Sequence, residues 1–226
     1  MSQAITVIVE GCGPITLPAG SDYRAVLAAT PISNASAVLA AHVEDATVDL
    51  TSPARDQAHV TFVRFDDDAG IDVFRHSSAH LMAHAVISLF PDAKPTSGPV
   101  VEEGFDYDFG ARPLTPEDLT RIEVRMAELV AANIPVQRVE VSKAEALAMF
   151  ADNPFKVELI QDLPDGTISI YRQGEFADLC RGPHVPSTGV LKAFKLTKVA
   201  GAYWRGDQER EQLQRIYGIS FPDQAQ

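Results

Sequence analysis

His76-Ser-Ser-Ala-His80 and Cys180-Arg-Gly-Pro-His184 each carry two side chains with nitrogen or sulfur lone pairs four residues apart. The chain has only six histidines and two cysteines in 226 residues, so half of these scarce groups fall into two matched pairs. A fold that brings the pairs together makes a polar pocket with two chemistries open to it. His76, His80, Cys180 and His184 have the softness that suits zinc. Without metal, the imidazoles can position or deprotonate a water. The residue after His76 is Ser77, so the glutamate base of the metalloprotease motif is missing. Cys180 with His184 also forms a nucleophile–base pair, although the sequence shows neither an oxyanion hole nor an orienting partner for it. His84 adds a further turn to the first run and by itself reads as a partly buried polar residue. His42 and His59 have no partners in sequence and read as structural.

The two pairs need different supports. Val73 to Phe90 has the periodicity of a helix, with Leu81, Met82, Ala85, Val86 and Leu89 as the buried stripe and the histidines along a neighbouring face. The second pair sits in a glycine-proline loop. Thr115-Pro116-Glu117-Asp118 starts another helix, with Thr115 as its cap, and Asn133 and Pro135 stop it. Ser142 to Glu145 has capping-box spacing and begins a third helix to about Ala151. Val157 to Ile160 and Thr167 to Arg172 read as strands around the Leu163-Pro-Asp-Gly166 turn. Lys192 to Trp204 reads as a strand and Glu209 to Tyr217 as a last short helix. Towards the N-terminus, residues 4–9, 38–43, 47–50 and 59–65 read as strands, and Ser21 caps a short helix from Asp22 to about Ala29. That content predicts a small α+β module over residues 1–65. The acidic stretch Asp66-Asp-Asp-Ala-Gly70 marks the boundary with a second α+β domain over 66–226.

The composition, 46% hydrophobic and 22% charged, excludes a disordered chain. No apolar run is long enough for a membrane span, and the N-terminus lacks the form of a signal peptide. Two cysteines provide no disulfide framework and suit a reducing cytoplasm. The net charge of −12 argues against broad nucleic-acid binding by the whole chain. Locally, however, Arg181, Lys192, Lys195, Lys198, Arg205, Arg210 and Arg215 face only Asp207, Glu209 and Glu211. That stretch is either a solvated face or a phosphate-contacting surface.

Phe74-Arg-His-Ser-Ser-Ala-His80-Leu-Met-Ala-His-Ala, Gly98-Pro-Val, Gly104-Phe-Asp-Tyr107-Asp, Asp178-Leu-Cys180-Arg-Gly-Pro-His184-Val-Pro and Gly201-Ala-Tyr-Trp-Arg-Gly-Asp207 closely resemble the N-terminal part of bacterial threonyl-tRNA synthetases. The order and spacing match as well. The resemblance implies an α+β chain with a small β-grasp (TGS) domain over 1–65. An editing domain of the threonyl/alanyl-tRNA synthetase type then covers 66–226. It implies hydrolysis of serine mischarged on threonine tRNA, with His76, His80, Cys180 and His184 as the pocket floor and His76 or His184 handling water. It also gives a role to Lys156, by itself a strand-end surface lysine, in stabilising the oxyanion or holding the terminal adenosine. Asp178 would bind the serine ammonium or orient a histidine, and Tyr107 would contact the adenosine. Arg181, Lys192, Lys195, Lys198 and Arg205 would meet the acceptor stem. The resemblance implies no metal for editing, while zinc on the two pairs stays possible because the related alanyl domain is associated with it. The family continues into catalytic and anticodon-binding domains that this sequence lacks, so the chain is a fragment, with the catalytic domain as partner, or a freestanding cytoplasmic editor. Two other readings remain: a non-catalytic tRNA-binding or regulatory TGS module, and a zinc-dependent deacylase of mischarged alanine tRNA.

Overall fold

The computed structural model describes residues 4–98, 100–101 and 104–223, without the side chains of 100 and 101. Part of the Gly98-Pro-Val motif therefore lies outside the described residues. Two compact units are present: residues 1–74 with 182–186, and residues 75–181 with 187–226.

In the first unit, β1 (Ala4–Val9), β2 (Gly13–Pro18), β3 (Val38–Val43), β4 (Ala46–Val48) and β5 (His59–Arg64) form one sheet in the order β2-β1-β5-β3-β4. Only β1 and β5 run parallel. Helix α1 (Tyr23–Ala28) buries Tyr23, Val26 and Leu27 in a core shared with Val7, Val9, Val43 and Val60. Its cap is Asp22, whose Oδ1 accepts from the Ala25 N–H at 2.9 Å, and not the expected Ser21. The Ser21 hydroxyl is occupied, donating to the Pro18 carbonyl at 2.8 Å.

Helix α2 (Asp68–Leu89) begins earlier than its apolar periodicity, and the division between the units falls within it after Phe74. Gly70 allows that start. A Cβ there would stand 1.6 Å from the Arg64 carbonyl oxygen, so no larger residue fits the approach. From Ser77 to Val86 every residue is buried, so the helix is enclosed on all faces and does not show a single apolar stripe. The small residues Ser77, Ser78, Ala79, Ala83 and Ala85 permit that enclosure.

The second unit continues with β6 (Lys94–Pro95), β7 (Val100–Val101), β8 (Gly104–Gly110), α3 (Pro116–Ala131), β9 (Val136–Ser142), α4 (Lys143–Met149) and α5 (Pro154–Asp162). It closes with β10 (Thr167–Gln173), β11 (Phe176–Leu179), β12 (Ala193–Tyr203) and β13 (Gln212–Phe221). One sheet runs β12-β13-β8-β6, with β7 also on β8, and a smaller one runs β11-β10-β9. The architecture is α+β, as expected. Among the described residues no helix is long and apolar enough to cross a membrane.

Two local expectations fail here. Val157–Ile160 is helical, part of α5, because Asn153 Oδ1 caps the Phe155 and Lys156 N–H groups and Pro154 takes the first helical position. Glu209–Tyr217 is not a helix. Gln212 onward pairs with β12 on one side and β8 on the other, and long-range pairing overrides local preference there. Strand β8 lies outside the elements expected from sequence, although Phe105, Tyr107 and Phe109 alternate with Asp106 and Asp108. The two aspartates on one face masked the pattern, and Asp108 is accommodated by a bidentate pair with Arg215 directly opposite, at 2.6 and 2.7 Å.

The cap of α3 is as expected: Thr115 Oγ1 accepts from the Asp118 N–H, and Asp118 accepts from the Thr115 N–H. Asp118 is also paired with Arg112, whose hydrogen bond is the main cause holding its carboxyl to about 2. We expect Thr115→Ala to lower stability by about 1 kcal/mol in urea unfolding. Because the folded pKa of Asp118 lies below its unfolded value of about 3.9, its contribution is complete above that value and is lost as pH falls towards 2. Acid titration of Asp118→Asn should therefore show a flatter loss of stability in that window than the parent.

Candidate active site

The enclosed helix α2 places His76 and His80 one turn apart, with ring centroids 5.0 Å from each other. Strand β11 ends at Leu179, and Cys180 follows it immediately. Its position is held by Ser169 on β10: the Ser169 hydroxyl donates to the Cys180 carbonyl at 2.5 Å, and the Cys180 N–H donates to the Ser169 carbonyl. This brings Cys180 Sγ to 2.9 Å from His76 Nε2 across 104 residues of sequence. The expected meeting of the two runs thus occurs for His76, His80 and Cys180. His84 is buried farther along α2, stacked on Phe176 at 5.3 Å, and burial is the main cause that lowers its pKa to about 4.

His184 lies in the 182–186 segment that groups with the first unit. It is buried, and its backbone N–H donates to Asp49 Oδ1 at 2.8 Å. Asp49 carries no motif, and nothing in the sequence links it to a residue 135 positions away.

Beside the imidazoles lies a group of three polar side chains, all but sealed from solvent. Lys156 Nζ stands 2.5 Å from Asp178 Oδ1 and 3.2 Å from the Tyr107 hydroxyl, to which it donates. The Tyr107 hydroxyl donates in turn to Asp178 Oδ2. Lys156, Asp178 and Tyr107 are 2%, 1% and 1% exposed, so this is a buried ion pair and not a surface contact. Lys156 reaches it from the first turn of α5, which corrects its reading as a strand-end surface lysine. Burial first, and then the Asp178 charge, raises the Tyr107 pKa well above its ordinary value and keeps it a phenol. His80 Nε2 is 3.6 Å from Asp178 Oδ2, too long for a hydrogen bond. Burial, followed by the charges of His76 and Lys156, pushes the His80 pKa well below the usual range. His80 is therefore neutral at pH 7.

The donor atoms of His76, His80 and Cys180 lie within 4.8 Å of one another, a group in the second unit that can hold a metal ion. The donor types fit zinc. The spacing is tight, since tetrahedral ligation at ordinary bond lengths separates a nitrogen and a sulfur donor by about 3.5 Å, whereas His76 Nε2 and Cys180 Sγ are 2.9 Å apart.

The basic stretch is far less basic in three dimensions. Lys195 pairs with Glu123, Arg205 with Glu158 and Asp162, Arg210 with Glu158, and Arg215 with Asp108. Arg181, Lys192 and Lys198 are exposed without an ion pair among the described residues, and Lys198 lies over the Tyr217 ring at 4.5 Å.

Residues 168–217, which include Asp178, Cys180 and His184, match the family described as the threonyl and alanyl tRNA synthetase second additional domain. Over 216 residues, or 96% of its length, the chain is 49% identical to a threonine–tRNA ligase of Desulfatibacillum aliphaticivorans. The chain is a homologue of the threonine–tRNA ligases. A ligase of Pelobacter propionicus is 48% identical over 98% of the chain, and one of Carboxydothermus hydrogenoformans is 50% identical over 83%. The chain spans about a third of these relatives' own lengths, 33%, 35% and 30%. In the second unit, α2, α5, β8 and the end of β11 thus gather imidazole, thiol, ammonium, carboxylate and phenol groups within contact of one another.

Removing one partner of the Lys156–Asp178 pair leaves a buried charge uncompensated. Asp178→Asn should cost about 3–5 kcal/mol in urea unfolding. The double change Lys156→Met with Asp178→Leu should recover most of that loss, because it removes both charges together.

Proposed function

We propose that residues 66–226 hydrolyse the ester of serine mischarged on threonine tRNA. Serine differs from threonine by one methyl, and one methylene or methyl is worth only about 1–3 kcal/mol of discrimination in an apolar pocket. A ligase for threonine therefore needs a second, hydrolytic sieve that admits serine and excludes the larger side chain. The observation that carries the reading is the contact of His76 with Cys180 beside the buried Lys156–Asp178–Tyr107 group, in a homologue of threonine–tRNA ligases.

His76 is the imidazole of the pair that solvent reaches, and it takes the proton as water attacks the ester carbonyl. Neutral His80 and the Cys180 sulfur hold that water from the other side. Lys156 presents an ammonium of fixed position for the oxyanion that develops. Asp178 and Tyr107 serve the pocket by fixing Lys156, since their polar atoms already meet it and each other. Collapse of the tetrahedral intermediate breaks the bond to the ribose oxygen, and the proton on His76 leaves with the terminal hydroxyl. A zinc ion held by His76, His80 and Cys180 would supply Lewis acidity at the same place. The steps above do not need it.

Arg181, Lys192 and Lys198 are the basic side chains left for the acceptor stem of threonine tRNA, while Lys195 and Arg205 would first have to exchange carboxylates for phosphates. If the chain is part of a longer ligase, the catalytic domain is the partner that delivers the mischarged end. The first unit has the strand order and single helix that we read as a β-grasp of the TGS type. Three arginines face ten carboxylates over residues 1–74, a balance that disfavours tRNA binding by that unit alone.

The test is deacylation of seryl- and threonyl-charged threonine tRNA by the purified chain. The seryl ester should be cleared and the threonyl ester spared, with His76→Ala and Cys180→Ala each slowing the reaction by about 100-fold or more. Survival of the seryl ester for as long as in buffer overturns the proposal. Elemental analysis with a chelator control should find no stoichiometric zinc and no loss of rate. Chelator-sensitive hydrolysis would favour the metal-dependent reading, and cleavage of seryl or glycyl esters on alanine tRNA would redirect the specificity.

A further inference from the structure

The Gly201-Ala-Tyr-Trp-Arg-Gly-Asp207 motif has no part in the chemistry above, yet its side chains converge on one carboxylate. Helix α5 carries Lys156 on one side and Glu158 two residues later, about 200° around the helix. Glu158 accepts from Trp204 Nε1 at 3.2 Å and from both terminal nitrogens of Arg210 at 3.1 and 2.7 Å, and it pairs with Arg205 Nε at 2.8 Å. Arg205 also reaches Asp162, one helical turn beyond, at 2.5 Å. These three donors all come from the turn joining β12 to β13. Apolar contacts back the grip: Phe155 packs edge-on against Trp204 at 5.0 Å, and Leu159 joins the cluster of Phe155, Trp204 and Leu213.

The turn is held in a costly form to make this grip. Arg205 has φ 54°, the left-handed region that a side chain with a Cβ disfavours. Two carboxylates on one guanidinium compensate it. Arg210 hydrogen bonding is the main cause that holds the Glu158 carboxyl to about 2, so the clamp is charged at any physiological pH.

We propose that Glu158 is a positioning residue for Lys156, the carboxylate through which the hairpin tip grips α5. A nine-residue helix has few other means of fixing its roll and its advance along its axis. Asn153 anchors its first turn, with Nδ2 donating to the Pro95 carbonyl at 2.8 Å. Ile160 anchors a second face in a core with Ala146, Ile168 and Ile170. The Glu158 clamp is the third point, and three points fix a rigid helix. Displacement of Lys156 Nζ by about 1 Å would lose its contact with Asp178 and misplace the charge offered to the oxyanion, an error that can cost on the order of 100-fold in rate.

The inference rests on the deacylase reading for its kinetic arm only. In the full chain, Glu158→Gln and Arg210→Gln should each lower kcat for the seryl ester at least about ten-fold with KM unchanged. In a Lys156→Ala background the same changes should do nothing further, because they act through Lys156. Far-ultraviolet circular dichroism and the urea midpoint report folding of each variant. The second arm needs no activity: the buried Lys156 ammonium should give a slowly exchanging side-chain NMR signal that disappears in Glu158→Gln. If the parent hydrolyses no ester, the functional reading fails while the NMR arm still decides the clamp. An unchanged Lys156 signal overturns the clamp, as does an equal loss of kcat with and without Lys156.

Discussion

Everything around the site answers to the burial of one charge pair. Lys156 and Asp178 are removed from water almost completely, and such a pair persists only where geometry and extra hydrogen bonds offset its desolvation. The phenol of Tyr107 supplies those bonds, accepting from the ammonium and donating to the carboxylate. Three separate elements must therefore arrive together: α5 with the lysine, β8 with the tyrosine and β11 with the aspartate. A small error in any of them strands a charge in a dry interior. This requirement explains why α5 is capped by Asn153 and gripped at Glu158, and why β8 is locked to β13 by the bidentate Asp108–Arg215 pair.

The same burial sets the chemistry of the neighbouring histidines. His80 is enclosed with Lys156 nearby, so an added proton would stand beside an existing positive charge in a medium that screens it poorly. His76 is nearer solvent and lies against the Cys180 sulfur. One helix thus presents two imidazoles at different depths, His76 half-buried and His80 buried. The helix can hold them at those depths because its small residues let neighbours approach on every face. Ser78, for example, donates to the Ser220 hydroxyl on β13 at 2.8 Å.

Charge along the chain has a different meaning once it is folded. The stretch from Arg181 to Arg215 is basic in sequence, but most of its guanidinium groups meet carboxylates from α5 and β8. The partners are 43 to 107 residues away, so no window of sequence contains both. A run of like charge is a surface only if the fold leaves it unpaired. Here most of it is paired, with Lys192, Lys198 and Arg181 as the exposed residues that form no ion pair among the described residues.

The sequence alone determined what is local. Capping at Thr115 and Ser142 and the strands at Val38–Val43 and Thr167 onward follow from interactions within a few residues. So does the spacing of His76 and His80 on one helix. Residue types also marked the scarce His/Cys pairs and, through the surrounding motifs, the kinship with threonine–tRNA ligases. Tertiary structure alone decided the rest. It made a strand of Gln212–Phe221 because two neighbours were there to pair with it, and it drew Lys156 into the interior because Asp178 and Tyr107 were waiting. It also tied Asp49 to the backbone of His184 and gathered Arg205 and Arg210 onto Glu158. Each of these outcomes depends on hydrogen bonds or charges between residues far apart in the chain. Only closure of the fold can bring such partners within reach.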